Sequence, residues 1–289
     1  MADVRRSYLA AGFSPQVIKF LLASWSDSSK KRYQGPWKAW SSWCTARGLC
    51  PLSAPVAEVI NFLTKLAVQH NHEYRTVAVY KSVISQARSH GVEPPIGQLP
   101  VVSHFMKGIF RLSPLRPRLV YTWDVKLLLE YLSTLEPLGS LTTKQLSFKL
   151  VSLLALTSAA RAHEIVKLDL SSLSRKTDSW ENTLLSHVKA CRPGHPPRTI
   201  YLLSYPTNPK ICVIRTLEAY LARSETRRKT TRLLISYVCP YGAISTQTLS
   251  RWIRISLQLA GVSQQFTAHS TRMLPLLQLR ALVFHWRRL

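Results

Sequence analysis

Leu146-Ser-Phe-Lys-Leu-Val-Ser-Leu-Leu-Ala-Leu-Thr-Ser-Ala-Ala160 is the most apolar stretch of the chain, and the residue that ends it is Arg161. Its 15 residues fall short of the roughly 20 that span a bilayer, so the stretch reads as a helix buried at the centre of a domain. Downstream, Asn182–Val188 and Arg198–Leu203 are β-leaning. They flank Lys189-Ala-Cys-Arg-Pro-Gly-His-Pro-Pro197, a basic segment of turn formers, and together read as a hairpin. Helices return over Pro209–Ser224 and Thr246–Ala260, with Gly261 as a stop signal. Upstream, Thr122 is suited to cap a helix over Trp123–Leu135. The reading is a mostly α domain with a small β-hairpin, covering residues 122–289.

Before it, Ser113-Pro-Leu-Arg-Pro-Arg118 combines two prolines with two arginines, a stiff basic segment that reads as a linker over 114–121. Residues 1–113 then form a separate helical domain. Its pattern predicts four helices, over Ser29–Arg47, Pro55–His70, Tyr74–Ser89 and Val101–Leu112. In the first of these Tyr33, Trp37, Trp40, Trp43 and Cys44 fall at steps of three and four, one helix face whose spacing buries it as core. Pro36 conflicts with a continuous helix there, predicting a kink or a start near Gly35.

The 289 residues and 32.8 kDa allow two ordinary domains. With 39 Lys and Arg against 14 Asp and Glu, the net charge is +25, while 46% hydrophobic content is ordinary for a globular chain. Disorder is not the default reading, and collagen-like, low-complexity and membrane-spanning classes drop out. The start, Met1-Ala-Asp-Val-Arg-Arg-Ser-Tyr, has no apolar core of a secretory signal, which predicts a nuclear or cytoplasmic protein. Five cysteines (Cys44, Cys50, Cys191, Cys212, Cys239), with no C-x-x-C pair among them, read as free thiols. A surplus of positive charge this large calls for a polyanionic partner, nucleic acid first. From Thr226 to Leu289 there are ten Lys or Arg and no acidic residue.

Four positions are candidates for chemistry: Arg161, Lys189, His269 and Arg272. Singly each has an ordinary reading, as a cation at a helix C-terminus, a loop charge or a core histidine. The pattern H-x-x-R decides nothing by itself, because it occurs four times (His72, His195, His269 and His285 each precede an arginine by three). Their order along the chain carries more.

In that order the sequence resembles the tyrosine recombinase (phage integrase) family, especially recombinases of DIRS- and Crypton-type mobile elements. Leu153-Leu-Ala-Leu-Thr-Ser-Ala-Ala-Arg161-Ala-His-Glu164 is similar to the family's first-arginine box. Pro117-Arg-Leu-Val-Tyr-Thr-Trp-Asp124 is similar to the entry of its catalytic domain, and Phe266-Thr-Ala-His269-Ser-Thr-Arg272 to its second-arginine box. Lys189 falls where the hairpin lysine stands, with Arg192 and Arg198 competing in the same loop. The resemblance implies a helical, SAM-like core-binding domain that clamps double-stranded DNA, followed by an α+β catalytic domain. It also implies oligomers on DNA, and strand cleavage through a 3′-phosphotyrosine without a metal or any small-molecule cofactor. Arg161 and Arg272 would grip the phosphate bidentately, Lys189 would protonate the leaving oxygen, His269 would assist, and Glu164 would orient Arg161.

One element of that pattern is missing. The family's nucleophilic tyrosine lies some thirty residues past the second arginine, after a His or Trp, whereas the last tyrosine here is Tyr241 and 17 residues follow Arg272. The Leu- and Arg-rich segment 273–289 is unlike the small-residue helix of the family. A shifted frame with freely chosen codons can encode such a helix there, so the expectation is a frameshift, a truncated catalytic domain and a chain that binds DNA without cutting it. Two rivals remain. A two-metal transposase needs three clustered carboxylates, and none follows Glu225. A non-catalytic architectural or RNA-binding protein accounts for the charge but not for the order of the four residues.

Overall fold

A computed structural model describes residues 2–88, 94–113, 123–185, 194–267 and 270. The chain divides into two compact units, Met1–Leu119 and Val120–Leu289.

The first unit is helical: α1 Ala2–Ala10, α2 Pro15–Ala23, α3 Asp27–Thr45, α4 Val56–Val68, α5 Tyr74–Ala87 and α6 Pro100–Leu112. The last four correspond to the expected segments; α1 and α2 were not foreseen. Both are short, and α1 owes its place to tertiary contacts: Val4 and Tyr8 are buried, and Asp3 accepts a hydrogen bond from Trp37 Nε1 at 2.9 Å. The α2 helix starts from a local signal, Ser14 accepting from the Val17 N–H with Pro15 in the first turn. The aromatic stripe of α3 is core, with Trp37, Trp40 and Cys44 buried among Val59, Phe62, Leu63 and Ile84. Contrary to the expected start near Gly35, α3 runs through Pro36 from Asp27. Proline cannot donate to the Arg32 carbonyl, but the buried indoles on the following turns hold the helix on course.

In the second unit α8 (Thr143–Ser158) is the centre. Every residue from Leu146 to Leu156 is buried, and the helix packs against α9 (Ala162–Ile165), α10 (Val213–Ser224), α11 (Thr246–Leu259) and strand β3. It begins with a reciprocal cap, Thr142 Oγ1 accepting from Gln145 N at 3.2 Å while Gln145 Oε1 accepts from Thr142 N at 3.0 Å. Lys149 is wholly buried within it. Its ammonium donates to Leu135 O (2.7 Å) and Glu136 Oε1 (3.0 Å), and Glu136 also receives Arg215 of α10 at 3.1 and 3.3 Å.

Helix α7 covers Val125–Thr134 and is capped by Asp124, whose carboxylate accepts from Lys126 N at 2.9 Å. This corrects the expectation of a Thr122 cap and a start at Trp123: a carboxylate suits the positive helix end better, and Trp123 is drawn into the core with Nε1 on Ser270 Oγ at 3.1 Å. Thr122 lies outside the described residues. The expected helix from Pro209 is a 3-10 turn over Pro209–Ile211 followed by α10, and α11 closes before Gly261 at φ +78, a left-handed turn suited to glycine.

The hairpin is a three-stranded antiparallel sheet in the order β1 (Leu173–Arg175), β2 (Ser179–Thr183), β3 (Thr199–Leu203). Trp180 faces Leu202 and Asn182 faces Ile200, and these four are the buried residues of the alternation. Strand β2 starts three residues before the expected Asn182 and ends at Thr183; Val188 lies outside the described residues. The buried Trp180 and Asn182 set the register: Asn182 Nδ2 donates to Asp169 O at 2.7 Å, so its polarity is satisfied inside the core. Cys44, Cys50, Cys212 and Cys239 are free thiols; Cys191 lies outside the described residues. No helix among the described residues is long and apolar enough to cross a membrane.

Candidate functional site

The end of α8 creates the site. After Ser158 the chain turns through Ala159 in the left-handed conformation (φ 47, ψ 20), and Arg161 follows in an extended conformation as the residue that caps α9. Arg161 is therefore not a cation on the last turn of α8, as its ordinary reading had it, but the first residue of a new direction. Small side chains at 158–160 permit that reversal.

Glu164, fully buried, faces back toward it. Its Oε2 accepts from the Arg161 backbone N–H at 2.8 Å, and the Arg161 guanidinium reaches Oε1 at 3.4 Å. A second guanidinium arrives from the residue preceding β3: Arg198 Nη1 lies 2.9 Å from Oε1 and 2.8 Å from Oε2. Both arginine side chains remain about one-third exposed, at 37% for Arg161 and 33% for Arg198. One buried carboxylate thus serves two partly exposed guanidiniums, leaving a net positive charge facing solvent. Burial alone would push the Glu164 carboxyl up. The Arg161 N–H and the charges of Arg198, His163 and Arg161 outweigh it and hold the group below its ordinary value.

The segment after α9 is anchored by a second polar cluster. Leu170 N donates to Thr231 O and Leu233 N to Leu168 O, each at 2.8 Å. The Asp169 carboxylate accepts from Ser171 N (3.1 Å), Ser171 Oγ (2.7 Å) and Thr231 Oγ1 (2.9 Å), with Arg232 at 3.8 Å. Burial raises the Asp169 and Glu136 carboxyls too, and hydrogen bonds and cations again bring both below their ordinary values.

These three carboxylates set an acid limit. Their folded values are lowered, so the stability they contribute is complete above the unfolded carboxylate values near 4 and is lost as pH falls through the folded ones. Urea midpoints of the second unit are expected to hold from pH 7 to about 5 and to drop steeply below about 4, and Glu164→Gln should flatten that drop. A wild-type midpoint unchanged at pH 3 would contradict the assignment.

Of the residues singled out from sequence, the structure brings Arg161 and Glu164 together. Lys189, His269 and Arg272 lie outside the described residues, as does Arg192. Arg198, read from sequence only as a competitor of Lys189, is instead a partner of Glu164. Spacing gave no signal for that pair, 34 residues apart; only the placement of β3 beside α8 creates it. Among the described residues no group of three or more His, Cys, Asp or Glu is arranged to hold a metal ion.

No protein-family model and no curated protein matches the sequence. Solved structures do resemble it. A lambda integrase tetramer bound to a Holliday junction matches with a TM-score of 0.52 at 15% identity, over 87% of this chain and 65% of that one. XerH site-specific recombinase, in a post-cleavage complex with its palindromic difH substrate, matches with a TM-score of 0.52 at 13% identity, over 76% and 60% of the respective chains. The chain thus spans under two-thirds of the length of either protein. Mostly helical, with a small three-stranded antiparallel sheet, the chain has the tyrosine recombinase fold.

Proposed function

We propose that the chain is a DNA-binding member of the tyrosine recombinase family, of the kind carried by DIRS- or Crypton-type mobile elements, whose ancestral chemistry is strand cleavage and religation in recombination or integration. The observation that carries the reading is the Arg161–Glu164 pair, a partly exposed guanidinium held at the end of the most buried helix in this fold. The net charge of +25 supports a polyanionic ligand. Both structural neighbours named above are complexes with DNA, and the integrase is a tetramer, which supports duplex DNA as ligand and assembly on it. In this reading residues 1–113 form the clamp, 114–121 the linker and 122–289 the catalytic-type domain, and the protein is nuclear or cytoplasmic. Arg161 and Arg272 bind the phosphate, while in the ancestral cleavage Lys189 would protonate the leaving oxygen with His269 assisting.

Among these 289 residues no tyrosine follows the second-arginine box, and the activity proposed for them is DNA binding. Adduct formation on nicked DNA would then require a tyrosine from outside them. The test is fluorescence anisotropy on a labelled duplex between about 50 and 200 mM salt. Arg161→Ala is expected to weaken binding about tenfold and to reduce the salt slope by about one. If Arg161→Ala and Arg272→Ala both left affinity and slope unchanged while distant lysines controlled them, the architectural or RNA-binding reading would replace this one.

A further inference from the structure

The resemblance assigns Glu164 the orientation of Arg161, yet the geometry gives its carboxylate to another cation. Arg198 Nη1 stands at 2.8 and 2.9 Å from the two oxygens, inside the 2.7–2.9 Å range of charge-assisted hydrogen bonds. The Arg161 guanidinium, at 3.4 Å, is outside it. What Arg161 supplies at short range is its backbone N–H, at 2.8 Å. A fully buried carboxylate must have a cation close by, because an unpaired charge in the interior is costly. Among the described residues two guanidiniums pair with it, and that of Arg198 is the closer.

We propose that Arg198 is a positioning residue: by taking the closer share of the buried Glu164 carboxylate it leaves the charge of Arg161 only partly compensated and its guanidinium partly exposed, available to a phosphate. The assignment rests on the reading of Arg161 as a phosphate ligand and adds how its charge is kept free. Remove Arg198, and Glu164 closes on the remaining guanidinium, that of Arg161 three residues away, as a fork-to-fork ion pair. Arg161 is then neutralised at the moment a phosphodiester would need it. Arg198 acts through Glu164 and does not itself have to touch the anion.

This differs from a simple contribution of one more positive charge, and a double-mutant cycle separates the two. Duplex DNA affinity is measured at one fixed salt concentration for the wild type, Arg198→Ala, Glu164→Gln and the double variant, with circular dichroism to confirm that each is folded. If Arg198 acts through Glu164, Arg198→Ala weakens binding about tenfold in the wild type and less than about twofold in the Glu164→Gln background, where no carboxylate remains to capture Arg161. Arg198→Lys, which keeps a cation for Glu164, restores most of the loss. Equal losses in both backgrounds would make Arg198 an ordinary charge or a direct phosphate contact and overturn the proposal. So would no loss in either. Arg161→Ala, measured beside them, tells the two failures apart: if that variant binds as the wild type does, the phosphate site itself is wrong, whereas if it binds weakly while the cycle is additive, only the role of Arg198 is wrong. Should Arg198→Ala not fold, Arg198→Lys and Arg198→Gln in the Glu164→Gln background carry the comparison.

Discussion

Glu136→Ala is expected to destabilise the second unit by about 3–5 kcal/mol, the cost typical of removing one partner from a buried ion pair. Lys149 is fully enclosed in α8, and Glu136 is its counterion at 3.0 Å. Burial lowers the Lys149 ammonium below its ordinary value, and Glu136 limits that fall. Without the carboxylate, among the described residues only the Leu135 carbonyl remains bonded to the ammonium, and Arg215 loses the same partner. The pH dependence gives a second readout. A lysine whose folded value is depressed contributes stability above its unfolded value, and this is lost as pH falls through the folded one. The deficit of Glu136→Ala relative to wild type should therefore shrink between pH 7 and about 10. Pairing the change with Lys149→Met, which removes the stranded charge at similar volume, should recover most of the loss. Urea unfolding followed by tryptophan fluorescence measures all three. A loss below about 1 kcal/mol, the range of an exposed pair, would contradict the buried-charge account.

In the first unit the largest single loss is expected from Trp40→Ala, about 3–5 kcal/mol. The indole is wholly enclosed, its ring lies 5.3 Å from that of Phe62, and Nε1 donates to Pro51 O at 2.9 Å. Truncation removes a large apolar surface and leaves a cavity that the neighbouring Leu63 and Ile84 cannot fill without moving. Trp40→Phe separates the components: it keeps most of the apolar volume, strands the Pro51 carbonyl, and should cost only about 1–3 kcal/mol. If both variants were equally destabilised, the hydrogen bond would be the dominant interaction and the packing argument would fail. Unfolding is followed by circular dichroism at 222 nm, since the mutations remove a fluorophore.

How far the sequence revealed this architecture varies by element, for physical reasons. The run from Leu146 to Ala160 was readable because enclosure on all sides demands continuous apolarity, and the stripe of Trp37, Trp40 and Cys44 because one buried face imposes a helical period. Strand β1 was not readable. Leu173-Ser-Arg175 is three residues long and mostly exposed, so it carries no alternation to detect. Strand β2 was shifted because Glu181 and Asn182 are weak strand formers, and Asn182 is kept by its bond to Asp169, a contact that exists only after folding. The pairing of Lys149 was not readable from the apolar run, because its counterion sits 13 positions away, at a spacing no local pattern announces. At the site, Arg161 and Glu164 were legible as neighbours on the chain, while the role of Arg198 depends on where the sheet is laid.

Ala159 has one more consequence. A non-glycine residue in the left-handed region costs about 1–2 kcal/mol, and a β-branched one costs more. The direction taken by Arg161 is therefore chosen by a residue with no charge and no ligand of its own. Sequence drift among the many surface arginines would only dilute the attraction to a polyanion by degrees. Ala159→Val, which puts a β-branched side chain in the left-handed region, would strain the turn that directs Arg161 while leaving the net charge untouched. In the proposed reading, affinity for DNA in general and aim at one phosphate are thus separate traits, and the second hangs on one of the smallest side chains.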